Sequence, residues 1–314
     1  MTNYIERMLG ALSMGEVCRE TIESKFHHAK SVMAPKEIDA VLSLSDLEGL
    51  YRRPPLFTSR YQIITKGTVE KEPAAHPQGG IDPDYLAKQF RAGSSLRVTS
   101  VQDLVPAVNR LCQDMAQECK CMVSANIYAT PPGNAGFDPH YDDHDVIVLQ
   151  CHGSKLWSIH ENYENKEILP LAGIKFEKGK HTPGPATHEI CLDAGDALYI
   201  PRGVMHSART ADGEQSVHLT LSLNWITWNE LIFDMLAEAA MENVEFRKGV
   251  LPSLMRDSSR DKGVLCDDAM REKVADLLRS ALKTISASSS FESLRSNYKT
   301  HYFNPSVHSL FAAD

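Results

Sequence analysis

The chain has no run of roughly 18 or more consecutive apolar residues, so its sequence offers no membrane-spanning helix. It has no basic excess either. The formal net charge is -8 and the sequence pI is near 5.9. Binding to a nucleic-acid backbone is driven by basic surface and counterion release, so direct DNA or RNA binding is not expected. A basic-then-apolar export signal is missing from the opening Met-Thr-Asn-Tyr-Ile-Glu-Arg. Seven cysteines form an odd set without framework spacing, which predicts reduced thiols and a cytoplasmic location. Cys119-Lys-Cys121 is spaced too closely for a zinc hairpin, and no second pair matches it. What remains is an ordinary soluble composition, 42% hydrophobic and 24% charged, long enough for one large domain with helical additions.

Hydrophobic periodicity divides the chain into three regions. Residues 1–120 read as an N-terminal helical and mixed region that packs on a central barrel. Ser45 and Glu48 have capping-box spacing ahead of Leu47 and Leu50. Loops are expected at 52–55 and 73–80. Ser100 with Asp103 is expected to open a helix whose apolar face is Val101, Leu104, Val105, Val108, Leu111, Cys112 and Met115, with Pro106 in its first turns or at a kink.

From 121 to 228 the period becomes two. Val146 and Val148 open a strand, and Gly153-Ser154 marks a turn before Lys155-Leu156-Trp157-Ser158-Ile159. Between Ser216 and Asn224, Val217, Leu219, Leu221 and Leu223 alternate with His218, Thr220, Ser222 and Asn224. In a strand these two sets point to opposite faces, so a polar row can line a wet cavity while the apolar row packs on helices. Short strands between Gly/Pro turns predict a mainly β core, a double-stranded β-helix or jelly roll of cupin type. Helical period returns over 229–314, where Leu231, Ile232, Met235, Leu236 and Ala239 share one face and Met270, Val274, Leu277, Leu278, Leu282 and Ile285 another. A Ser-rich turn is expected at 286–290. These C-terminal helices either cover the barrel or pair two copies into a homodimer.

The chemistry lies in His140-Tyr141-Asp142 and in His206, which comes just after Ile200-Pro201-Arg202-Gly203. His140 and Asp142 are two apart and point the same way on an extended segment, which Pro139 favours. Two imidazoles and one carboxylate can occupy one face of an octahedral metal and leave three positions open, the ligand set of non-haem iron(II) oxygenases. Lys155 could hold the far carboxylate of a dicarboxylic co-substrate, because a charge-assisted hydrogen bond also sets orientation. Asn126 and Ser222 could donate to the same ligand, and Tyr128 and Tyr141 could line the pocket. Of the 13 histidines, His144 is expected at the entrance or in solvent, and His152, His160, His181 and His188 at the surface. His218 either contacts substrate or is a hydrogen-bonded barrel histidine.

The run from Asn126 to Trp157, containing Thr130-Pro-Pro-Gly-Asn, Asp138-Pro-His140-Tyr-Asp142 and Gly153-Ser-Lys155, resembles the JmjC-type, cupin-like ribosomal oxygenases. Gly195-Asp-Ala-Leu-Tyr-Ile-Pro-Arg-Gly-Val-Met-His206 and His218-Leu-Thr-Leu-Ser222 extend the resemblance over 121–225. It implies iron(II) on His140, Asp142 and His206, 2-oxoglutarate as co-substrate with O2, Lys155 on its distal carboxylate, and Asn126 beside it. It further implies hydroxylation of a protein or peptide side chain, with succinate and CO2 as co-products, or demethylation through the same C–H chemistry. The residues after Trp228 leave little room for both the helical dimerisation region and the winged-helix domain of the family's ribosomal oxygenases. The same chemistry on a free or carrier-bound amino acid or other small metabolite is therefore kept open, as is a non-oxidative metal-binding cupin.

Overall fold

The computed structural model describes residues 3–10, 13–52, 60–70, 82–162, 164, 166–211, 213–249 and 268–285. The expected loops over 53–55 and 73–80 and the turn at 286–290 lie outside the described residues. Two compact units are formed, Met1–Trp225 and Ile226–Asp314.

The first unit is built on the period-two segments. In chain order it contains α1 (Tyr4–Met8), α2 (Met14–Glu20), β1 (His27–Ala29), α3 (Pro35–Val41), α4 (Leu44–Arg52), β2 (Tyr61–Thr65) and β3 (Thr68–Val69). Then come α5 (Pro83–Arg91), β4 (Ser95–Val98), α6 (Pro106–Cys119) and β5 (Met122–Thr130). β6 (Asp145–His152), β7 (Lys155–His160), β8 (His188–Leu192), β9 (Ala197–Ile200), β10 (Met205–Arg209) and β11 (Ser216–Asn224) complete it. An eight-stranded sheet runs β1-β9-β6-β11-β5-β4-β2-β3, and a three-stranded sheet runs β10-β7-β8. This is the mainly antiparallel double-stranded β-helix that the alternation predicts. Among the described residues its smaller sheet has three regular strands. Isolated bridges Ala135↔Arg209 and His140↔His206 stand beside β10 at its edge, where Pro139 has no amide hydrogen to continue a ladder.

β11 shows why the sheet has two buried faces. Val217, Leu219, Leu221 and Leu223 join one apolar cluster with Val108, Leu111 and Met115 of α6. Burying each such side chain contributes about 1.5–3 kcal/mol. Behind the sheet, Val146, Val148, Leu198 and Ile200 meet Trp157, Ile159 and Leu192 of the smaller sheet. Gly153 makes the crossing between the sheets: its φ is +64°, and a Cβ there would lie 1.9 Å from the Gln215 carbonyl oxygen. Asp145, at the head of β6, is fully buried. It accepts from Tyr199 Oη at 2.6 Å, Trp225 Nε1 at 2.8 Å and the Arg202 amide at 3.0 Å.

Two expected helix starts are displaced. The reciprocal cap of α4 is made by Ser43 and Asp46, each side chain bonded to the other's amide at 3.1 and 2.9 Å. Ser45 and Glu48 lie inside the helix, where Glu48 pairs with Arg52 at 3.5 Å. Ser100 does not open α6. It takes a left-handed conformation (φ 51°) before a short 3-10 turn at Val101–Asp103, and Pro106 occupies the first turn of α6, where a missing amide hydrogen costs nothing.

The second unit contains α7 (Trp228–Glu242) and α8 (Asp268–Ile285). Thr227 caps α7 in a box with Glu230. Trp228, Ile232, Phe233, Val274, Leu278 and Leu282 are exposed large apolar residues of these helices.

Candidate metal centre

His140 and Asp142 lie on the extended segment ahead of β6, and His206 lies on β10. The antiparallel bridge between His140 and His206 brings these segments together, and one donor atom from each of His140, Asp142 and His206 falls within 4.8 Å of the others. Asp142 Oδ1 is 3.9 Å from His140 Nε2, and its Oδ2 is 3.7 Å from His206 Nε2. Among the described residues this is the one group of its kind. Each imidazole is held by the main chain. His140 Nδ1 lies 2.9 Å from the Asp138 carbonyl oxygen, and His206 Nδ1 lies 2.9 Å from that of Val204. A carbonyl only accepts, so both Nδ1 atoms carry the proton and both Nε2 lone pairs face Asp142. That tautomer is the one a metal needs.

The electrostatics suit a dication. Burial, then the nearby His140, pushes the His206 pKa down to about 4, so the ring is neutral near pH 7. For Asp142, burial works to raise the pKa, but His140, His206, His144 and Arg97 outweigh it, leaving the carboxyl below its ordinary value. Two imidazoles, one carboxylate and no thiolate make an open donor set, which fits iron(II) and lacks the fourth ligand of a structural zinc site.

Beside the triad a cavity opens between the two sheets. Its lining includes Tyr128, Phe137, Lys155, Trp157, His218 and Thr220. Lys155 is 2% exposed, and its Nζ donates to Thr130 Oγ1 at 2.9 Å. No carboxylate among the described residues pairs with it, and burial alone lowers its pKa to about 7. A buried ammonium lined up with a metal triad fits a ligand that chelates at one end and carries a carboxylate at the other.

The other expected residues are divided between the cavity and the surrounding core. Tyr128 lines the cavity, whereas Asn126 and Ser222 are not among its lining residues. Asn126 lies on β5 two residues before Tyr128, and its Oδ1 accepts the Ser100 amide at 3.1 Å. Ser222 is buried on β11, two residues beyond Thr220. Tyr141 is also absent from the lining. It packs with Met205 and Phe176, and its hydroxyl lies 3.3 Å from His181 Nε2. His144 is half-buried and bonded to Asp143 at 2.9 Å.

His188 is exposed and His152 half-buried, but His160 and His181 are buried, contrary to expectation. His160 Nδ1 donates to the Gly184 carbonyl at 2.8 Å, and the His181 ring packs against Phe176 and Tyr141. The segment between β7 and β8 is fastened to the metal strand by Lys178 on Asp138 and by the Gly173 amide on Asp143, both at 2.7 Å. Sequence reasoning missed Thr130 and Phe137. Trp157, two residues after Lys155 on the same strand, had a readable signal in that spacing.

A model of the JmjC domain matches residues 98–231, which include the whole triad. That segment is similar to the JmjC domain. The chain is 37% identical over 213 residues to a bifunctional lysine-specific demethylase and histidyl-hydroxylase NO66 of Dictyostelium discoideum, covering 66% of this chain and 40% of that protein. It is 32% identical over 215 residues to ribosomal oxygenase 1 of Homo sapiens, covering 67% of this chain and 33% of that protein. The chain thus spans well under half the length of these relatives. The fold of this chain is also that of YcfD, a ribosomal oxygenase from Escherichia coli solved in complex with cobalt and 2-oxoglutarate. The TM-score is 0.54 at 16% identity, over 91% of this chain and 70% of that one.

Proposed function

We propose that this protein is an iron(II)- and 2-oxoglutarate-dependent oxygenase that hydroxylates a side chain of a protein or peptide. The observation that carries this reading is the pairing of a carbonyl-locked His140/Asp142/His206 triad with the buried Lys155 ammonium on one cavity. His140, Asp142 and His206 would hold the iron, and Lys155 would bind the distal carboxylate of 2-oxoglutarate. With both groups bound, the chemistry supplied is activation of O2 coupled to decarboxylation of 2-oxoglutarate, giving succinate, CO2 and a hydroxylated C–H bond. The protein's part is to orient and to exclude water. Val146, Val148, Trp157 and Phe137 make the cavity wall apolar, which strengthens the Lys155–carboxylate attraction.

A polypeptide substrate is supported by the names of the relatives, which include histidyl-hydroxylase, lysine-specific demethylase and ribosomal oxygenase. Demethylation would use the same step, because hydroxylation of an N-methyl carbon yields a product that releases formaldehyde. A homodimer through α7 and α8 is supported by their exposed Trp228, Phe233, Leu278 and Leu282. A reducing, cytoplasmic setting is supported by the free thiols of Cys18, Cys112, Cys119, Cys121, Cys151 and Cys191.

The test is anaerobic addition of 2-oxoglutarate to the iron(II)-loaded protein, followed by peptide screening for a gain of one oxygen. The weak visible charge-transfer band of a chelated 2-oxo acid is expected. Iron binding without that band would reject the co-substrate.

A further inference from the structure

His218 is a barrel histidine whose Nδ1 has no hydrogen-bond partner among the described residues. It sits on the inward row of β11, is 2% exposed, and lines the same cavity as Lys155. Its Nδ1 is buried and bonded to no group among the described residues. Buried polar atoms are satisfied in the great majority of cases, so an orphan in a cavity wall points to a ligand. His218 does not belong to the metal group of His140, Asp142 and His206.

Its orientation is set by packing rather than by hydrogen bonds. The ring lies parallel to Tyr128, centroids 5.0 Å apart and planes 6° apart, and Trp157 meets it edge-on at 5.5 Å. Tyr128 is capped in turn by the Arg97 guanidinium, 5.3 Å from its ring centroid. The imidazole is clamped on two sides, and these ring contacts leave its Nδ1 without a partner among the described residues. Burial, then the charge of Lys155, pushes its pKa well down, so it stays neutral beside the ammonium. A neutral imidazole offers one N–H donor without repelling a neighbouring cation.

We propose that His218 is a second binding residue for the distal carboxylate of the dicarboxylic co-substrate, one oxygen taken by the Lys155 ammonium and the other by the His218 N–H. The inference rests on the proposed oxygenase activity and assigns a further residue to it. It gives the site a means of choosing a 2-oxo acid with a second carboxylate over one without, because only the former satisfies both donors.

The test measures dissociation constants for 2-oxoglutarate and for 2-oxobutyrate, which lacks the second carboxylate, from the charge-transfer band of the anaerobic iron(II) protein. His218→Phe keeps a ring against Tyr128 and removes both nitrogens. His218→Asn places a carboxamide nitrogen near Nδ1 and gives up the stack. The expected result is that His218→Phe weakens 2-oxoglutarate roughly tenfold to a hundredfold, the scale of a lost hydrogen bond to a charged group, with 2-oxobutyrate unchanged. His218→Asn should restore most of the preference. His218→Leu replaces the phenylalanine variant where that one does not fold.

Equal weakening of both acids in His218→Phe would make the residue a packing element and overturn the proposal. So would an unchanged 2-oxoglutarate affinity in His218→Phe when Lys155→Ala is weakened, an outcome that leaves the oxygenase activity standing. A wild-type protein that binds iron and gives no band with 2-oxoglutarate would overturn both.

Discussion

His140 and His206 exchange both of their backbone hydrogen bonds, amide to carbonyl at 3.1 and 2.7 Å, across a single antiparallel bridge. This rung is one of two isolated bridges, the other Ala135 with Arg209, that stand beside β10 at the edge of the smaller sheet. It fixes the distance between two segments that are remote in sequence, and thereby the distance between two imidazoles.

His206→Ala should abolish iron(II) binding and turnover, whereas His144→Ala should leave iron binding close to wild type. His144 is tied to Asp143 and takes no part in the triad. Iron stoichiometry after anaerobic reconstitution decides this, and equal loss in both variants would remove the ligand assignment.

Lys155→Ala should raise the KM for 2-oxoglutarate with little loss of bound iron. The lysine faces the cavity from β7 and is no member of the donor set. A loss of roughly tenfold to a hundredfold is expected for a charge-assisted bond. Iron loss of the same size would mean that Lys155 supports the fold rather than the co-substrate.

The binding of 2-oxoglutarate should depend on pH through Lys155. Burial lowers its pKa to about 7 in the ligand-free protein, and the carboxylate requires the ammonium form. Below pH 7 the ammonium is already present. At higher pH, binding must take up a proton, so affinity should fall by about tenfold per pH unit. The stability effect of the same group runs the other way, since the unfolded lysine holds its proton up to about 10.4. Stability is therefore given up as pH falls from that value toward 7. A flat affinity profile between pH 7 and 9 would contradict the charge assignment.

Asp145→Ala should destabilise the first unit by about 3–5 kcal/mol, the usual cost of leaving the partners of a buried charge unpaired. Tyr199, Trp225 and Arg202 all lose their acceptor. The measurement is the denaturation midpoint, and a shift under about 1 kcal/mol would show that the group is relieved by solvent.

Much of the barrel is legible in the sequence because its signals are local. The Ser216–Asn224 alternation names a strand, its two faces and what each packs against, and the structure places Leu219 on α6 and Thr220 on the cavity as the pattern requires. His-x-Asp with a distant His gives the convergence of three donors for a similar reason: the types and spacing carry the chemistry. What stays hidden depends on tertiary folding. The carbonyls of Asp138 and Val204 that hold the imidazoles leave no trace in side-chain identity. His181 reads as a surface histidine because nothing in its neighbours says that the segment folds back onto Tyr141. The cap of α4 reads two residues late because Ser43 and Ser45 are each followed three residues later by an acid, and only the first lies outside the helix.

The anchoring of both imidazoles to main-chain oxygens has a consequence for how such a site can change over time. A side-chain acceptor can be lost in one substitution, but a carbonyl is supplied by whatever residue stands at 138 or 204. The orientation of the donor set is thereby insulated from sequence drift. Lining residues such as Tyr128 and Thr220 can then vary while those two carbonyl contacts stay in place.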